Sequence, residues 1–190
     1  STSRRQRQMC IRDRCSLVSE IYEANRYLLK GDLLSDNEKE QFVNVKANMN
    51  SIGVVDAIKL LAGYMERYYG KKVIILIDEY DTPLQEAYVG GYWNDMVGFI
   101  RSFFNSTFKT NPYLDRAIMT GITRVSKESI FSDLNNLNVI TTTNDEYNTS
   151  FGFTENEVFA ALDEAGLSEK KDDVKLWYDG FTFGKHKDIY

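Results

Sequence analysis

Asp78 and Glu79 follow without a spacer on the run Val73-Ile74-Ile75-Leu76-Ile77. Five consecutive β-branched or leucyl residues between charged flanks read as a short strand buried on both faces, as in the centre of a parallel sheet. Acidic side chains at the tip of such a strand are costly unless solvated, paired or bound to a cation. Asp78 is therefore a candidate ligand for Mg²⁺, which favours one or two carboxylates with phosphate oxygens and water. Glu79 is a candidate base that polarises a water for attack on a terminal phosphate. Thr120, near the end of a second short strand over residues 115–121, could orient the same water. Arg124 offers phosphate a planar fork of donors. A plainer reading competes, because an apolar strand that simply meets solvent also ends in acid. A strand-end threonine and a surface arginine are ordinary too.

Positioning these residues takes an α/β scaffold. Leu17, Ile21, Ala24 and Leu28 have helical spacing over residues 17–30, and Gly31 suits the C-cap. Ser35 with Glu38 spells a capping box before a second, polar helix. A third helix, capped by Asn50 or Ser51, carries the stripe Val54, Ile58, Leu61, Met65 and Tyr68 and stops at Gly70. Pro83 suits the first turn of a short helix that Gly90-Gly91 breaks. Another helix spans Tyr92 to Lys109, with Met96, Phe99, Ile100, Phe103 and Phe108 inward, and ends at Asn111-Pro112. Residues 122–137 are loop-rich, and Asn138 to Thr142 reads as a third short strand. Thr154 with Glu157 spells a second capping box, with Val158, Ala161 and Leu162 facing in. Lys170 to Tyr178 reads as a helix and residues 181–190 as an incomplete hairpin. Strands separated by helical stretches indicate a parallel sheet, whose ligands bind beyond the carboxyl ends of the strands. That rule selects Asp78, Glu79, Asp81, Thr120 and Arg124.

The arrangement of Asp78 and Glu79 is that of Walker B in P-loop NTPases, but its usual companion has no match. No segment spells the phosphate-cradling G-x-x-x-x-G-K-[ST]. Gly180-Phe181-Thr182-Phe183-Gly184-Lys185-His186 comes nearest, with one residue too few between its glycines and His186 in place of Ser or Thr. Five ordered motifs nevertheless resemble the predicted AAA-ATPase-like family, found mainly in bacteria and archaea. They are KKVIILIDEYDTPL (Lys71–Leu84), GYWNDMVGFIRSFF (Gly91–Phe104), MTGITRVSKESIFSDLNNLNVIT (Met119–Thr141), FGFTENEV (Phe151–Val158) and WYDGFTFG (Trp177–Gly184). The resemblance covers roughly residues 50–190. It implies an α/β fold: part of a three-layer P-loop core of the AAA-like kind with a parallel sheet, followed by a small, mainly helical or winged lid.

The resemblance also implies roles. Asp78 matches the Mg²⁺-associated aspartate, Glu79 the catalytic base, and Thr120 with Arg124 the sensor-like strand end. Asp81 is expected to order the following loop, by capping the helix at Pro83 or by binding an arginine. ATP and Mg²⁺ are the cofactors expected of the full-length parent. The phosphate-binding lysine has no position here. Phe151, Phe153 and Trp177 are expected to pack the region after the core. Asn135 and Asn136 suit turns, and His186 a surface site. Relatives often continue into a PD-(D/E)xK nuclease-like domain. Glu169-Lys170-Lys171 has the E-x-K spelling, but at a polar helix start rather than on a strand, so it is rejected as a metal site. The rivals to an ATPase are a non-catalytic regulatory module of a nuclease-linked protein and a nuclease in its own right.

Composition narrows the classes further. At 190 residues and 43% hydrophobic the chain can bury a core, and 25 aromatics exclude a disordered polymer. A net charge of −5 argues against a broad nucleic-acid face. Two cysteines and one histidine leave little scope for zinc and none for a disulfide scaffold, which fits a reduced, cytoplasmic domain. No stretch is apolar enough to span a membrane. Residues 1–15 stand apart, with five arginines against Asp13 for a net +4, while the rest nets −9. A basic arm and a targeting peptide are possible readings. The string Arg4 to Arg14 (RRQRQMCIRDR) instead resembles translated sequencing-adapter DNA. On that reading the native chain starts near Cys15 or Ser16 as a fragment lacking its upstream part. Residues 16–150 are then a partial core and 151–190 the start of the lid, cut at Tyr190.

Overall fold

A computed structural model describes residues 15–46, 51–122, 130–131, 134, 136–178 and 180–190, with the side chains of residues 51 and 52 left aside. The chain divides into two compact units, Ser1–Asn136 and Leu137–Tyr190.

The first unit opens with helix α1 (residues 15–24), which a 3₁₀ turn over Arg26–Leu29 extends. Helix α2 (Asp36–Asn44) starts on a complete capping box, Ser35 and Glu38 each bonded to the other's backbone N–H. Helix α3 (Ser51–Tyr69) follows. These helices share a core of Cys15, Val18, Tyr22, Leu28, Leu34, Phe42, Val54, Ala57, Leu61 and Tyr64. The stripe expected on α3 holds at Val54 and Leu61, with Ile58 and Met65 packed against the core. Tyr68 departs from it and is exposed, because the inward face drifts to Ala57 and Tyr64. Asn50 lies outside the described residues.

Strand β1 (Val73–Ile77) leads to α4 (Thr82–Gly90), α5 (Trp93–Phe104) and β2 (Leu114–Met119). The two strands pair in parallel, from Val73↔Leu114 to Ile77↔Met119. Pro83 lies in the first turn of α4, and Gly91 ends it in the left-handed conformation at φ 71°. The single helix expected up to Lys109 is α5 followed by a π-turn, Asn105–Lys109, where Ser106 Oγ donates to Asp56 of α3 at 2.6 Å. Around α4 and α5 lies a second apolar cluster that includes Leu84, Met96, Ile100, Phe104 and Phe131.

β1 is not buried on both faces. Ile74 is 57% and Leu76 72% exposed, and on β2 Ile118 is 57% exposed. Helix α3, which precedes β1, packs against it, and the face that carries Ile74, Leu76 and Ile118 is open among the described residues.

In the second unit α6 (Glu155–Glu164) starts on the Thr154–Glu157 capping box. Helix α7 (Lys171–Tyr178) leads to a hairpin of β3 (Phe181–Phe183) and β4 (His186–Ile189). The Gly180–His186 stretch is thus a hairpin with Gly184 in its turn, not a loop entering a helix. Three expectations fail here. Residues 138–142 form no strand; Thr141 gives its backbone N–H to Asn144 Oδ1 at 2.8 Å, a local bond that competes with strand pairing. Ala161 is exposed, and α6 buries no side chain fully. Phe151, Phe153 and Trp177 do not pack a core; all three are exposed, since this unit fully buries one large apolar side chain, Ile189. No helix among the described residues is long and apolar enough to cross a membrane.

Candidate functional site at the tips of β1 and β2

The carboxyl ends of the two parallel strands bring Asp78, Glu79 and Thr120 together. Hydrogen bonding continues past Ile77 and Met119. Thr120 N–H donates to the Ile77 carbonyl at 2.9 Å, so the register sets Asp78 opposite Thr120. A regular parallel ladder would next bond Glu79 N–H to the Thr120 carbonyl. Tyr80 N–H takes that place instead, at 3.0 Å. Glu79 is therefore one residue too many, a β-bulge, and it sits in the left-handed region at φ 51°. Such a conformation costs a glutamate about 1–2 kcal/mol, and bulges beside active sites re-aim a side chain.

Side chains answer the displaced N–H. Glu79 N–H donates to Asp78 Oδ1 at 3.1 Å and, more weakly, to Thr120 Oγ1 at 3.4 Å. The Thr120 hydroxyl donates to the same Asp78 Oδ1. Asp78, Glu79 and Thr120 thus form one network across the two strand ends. On the far side of the bulge, Thr82 N–H donates to the Glu79 carbonyl at 3.1 Å, and the Thr82 hydroxyl reaches Glu79 Oε2 at 3.4 Å.

Asp81 is 1% exposed, and its role differs from the expected side-chain cap. It occupies the N-cap of α4 with helical backbone and makes no side-chain cap bond. Its carbonyl accepts from Leu84 and Gln85 N–H, both at 3.0 Å, and its Oδ2 accepts from Gln85 Nε2 at 2.9 Å. The helix orders Asp81 by the i, i+4 pair rather than by a cap.

Residues passed over by motif reasoning support the site from beneath. A Cβ on Gly121 would lie 2.7 Å from Asp81 Oδ1 and 2.7 Å from the Tyr80 ring, so any larger residue here would displace one or both side chains. The Tyr80 ring meets Phe131 edge-on at 5.4 Å, and Phe131 stacks on Phe104 of α5 at 5.8 Å. A glycine just after a strand-end threonine was the available signal of close approach. Arg124 and Asn135 lie outside the described residues; Asn136 is in a turn.

The donor set suits a magnesium ion that is held in part by other groups. Both protein hydrogen bonds on Asp78 fall on Oδ1, and Oδ2 receives none from a described residue. No group of three or more His, Cys, Asp or Glu side chains gathers among the described residues. One carboxylate completed by water and phosphate oxygens is a coordination that Mg²⁺ accepts.

Comparison with known proteins covers this site. An uncharacterized protein in the vnfD 5′ region of Azotobacter chroococcum mcd 1 is 27% identical over 115 residues. The aligned part is 60% of this chain and 22% of that protein, so the chain spans about a fifth of its length. No solved structure matches. Residues 17–131, from α1 through Phe131, match the family described as Predicted AAA-ATPase. The chain belongs to the predicted AAA-ATPase family.

Proposed function

We propose that this chain supplies the metal-holding and water-activating half of an ATP-hydrolysing site, its Walker B half, within a larger P-loop protein. The observation that carries this reading is the network of Asp78, Glu79 and Thr120 at the joined tips of two parallel strands. Family membership supports ATPase-like chemistry. Asp78 would hold Mg²⁺, and Mg²⁺ with ATP supplies charge neutralisation at the phosphate oxygens when bound. The Thr120 hydroxyl fixes one oxygen of Asp78 and so orients the carboxylate. Glu79 accepts the proton of the attacking water at its carboxylate. Arg124 is assigned to phosphate contact. In this reading β1 and β2 are neighbours in a three-layer core, whose second helical layer would cover Ile74, Leu76 and Ile118. Residues 151–190 belong to a lid, and the phosphate-binding loop is assigned to another part of the larger protein.

Sequencing the native DNA upstream of the Ser16 codon tests this first. The expected frame carries a G-K-[ST] loop after an apolar strand. The protein it encodes should hydrolyse Mg-ATP, and Glu79→Gln should lower kcat about 10²-fold or more with nucleotide binding retained. Residues 16–190 alone should be nearly inactive. A frame without such a loop, or hydrolysis indifferent to Glu79→Gln, overturns the proposal.

A further inference from the structure

We propose that Tyr80 is the positioning residue of this site: its ring, wedged between Gly121 and Phe131, holds the bulge at Glu79 and so fixes where the Glu79 carboxylate is presented. The inference rests on the functional reading for its purpose, but its geometry stands on the fold.

A bulge of one residue has a competing state. If Glu79 N–H moved onto the Thr120 carbonyl, the ladder would be regular and Glu79 could relax to ordinary extended backbone. Local hydrogen bonds favour the bulge, with Glu79 N–H on Asp78 Oδ1 and Thr82 N–H on the Glu79 carbonyl, but Thr120 offers its one carbonyl to either residue. Packing selects between them by acting on Tyr80. Tyr80 N–H sits on the Thr120 carbonyl at 3.0 Å, and its ring lies where a Cβ of Gly121 would come within 2.7 Å. The ring also meets Phe131 at 5.4 Å and 68°. Phe131 is buried and lies flat on Phe104, 5.8 Å and 7° between the rings. The wedge is thus braced by α5, an element rooted in the apolar cluster. Sliding Tyr80 out of this seat is the step that would release the bulge. Left-handed backbone at a non-glycine residue persists only where its surroundings over-determine it, and Tyr80, packed against Gly121 and Phe131, supplies such surroundings together with the buried Asp81.

The test reads the sign of the Glu79 φ by NMR on the 190-residue chain without nucleotide. It uses the one-bond Cα–Hα coupling and the ¹³C shifts of residue 79. Wild type and Tyr80→Phe, which keeps the ring, should both show positive φ. Tyr80→Ala and Phe131→Leu should both shift Glu79 toward negative φ. Phe131→Leu preserves apolar bulk and keeps the test informative if Tyr80→Ala does not fold. A purely structural tyrosine would lower the unfolding midpoint and leave the Glu79 signature in place. Positive φ retained in either folded variant, or absent from wild type, overturns the proposal. This outcome is separate from that of the ATPase reading, which stands or falls on nucleotide hydrolysis and its response to Glu79→Gln.

Discussion

Four hydrogen bonds converge on the carboxylate of Glu38. Arg67 donates from Nη2 to Oε1 at 2.7 Å and from Nη1 to Oε2 at 3.4 Å, while the backbone N–H and hydroxyl of Ser35 donate to Oε2 at 2.9 and 3.0 Å. The Arg67 hydrogen bond, followed by that of the Ser35 backbone, holds this carboxyl below its ordinary value. A depressed folded-state pKa contributes stability that is present above the unfolded value, about 4.3, and lost as pH falls through the folded value. Arg67→Ala should therefore lower the urea midpoint at pH 7, and the gap to wild type should narrow by pH 3. A gap that stays constant across that range would assign the effect to lost packing of Arg67 over Tyr64 instead. At the site, the meeting of Asp78, Glu79 and Thr120 was legible, because the carboxyl ends of neighbouring parallel strands lie side by side. The bulge was not legible. Left-handed backbone is usually spelled by Gly or Asn, and here a glutamate occupies it beside Tyr80, whose ring packs on residues 41 and 51 positions beyond that tyrosine in sequence.

Helix starts were the most readable elements, since a capping box is written within four residues. Both boxes, Ser35–Glu38 and Thr154–Glu157, form as spelled. Thr154→Ala should cost about 1 kcal/mol, read as a lower helical signal and faster amide exchange over α6, while α2 exchanges as before. Equal exchange over α6 in the variant would show that packing rather than the cap holds that start. The elements read less well have a common cause, competition from side chains or tertiary packing. Thr141 diverts its backbone N–H from strand pairing through a local bond to the Asn144 side chain. The end of the long helix expected up to Lys109 loosens into a π-turn where Ser106 and Thr110 bond to Asp56 and Lys59 of α3. The parallel pair β1–β2 was legible from the continuous apolar run of β1, but the covering of its second face was not, since one strand's sequence does not name its neighbours.

At the scale of the molecule, net charge and open apolar surface oppose each other. A charge of −5 keeps copies apart at low salt, while Ile74, Leu76 and Ile118 offer exposed apolar side chains on one strand face, beside Arg116. The screening length falls from about 10 Å at 0.1 M salt to roughly 3 Å at 1 M. Self-association should therefore grow with salt, as measured by sedimentation velocity at 50 and 500 mM NaCl, and Leu76→Lys should suppress it. Equal sedimentation at both concentrations would show that this face is not adhesive. The bulge at Glu79 constrains how such a chain can vary across a lineage. A substitution at 79 changes the chemistry but leaves the residue count between strand and helix intact. A one-codon deletion restores the regular ladder and removes the acid together, and a one-codon insertion shifts Tyr80 out of its seat. Length at this point is digital where composition is graded, so descendants that keep the seat of Tyr80 must keep the spacing from Ile77 to Pro83 unchanged.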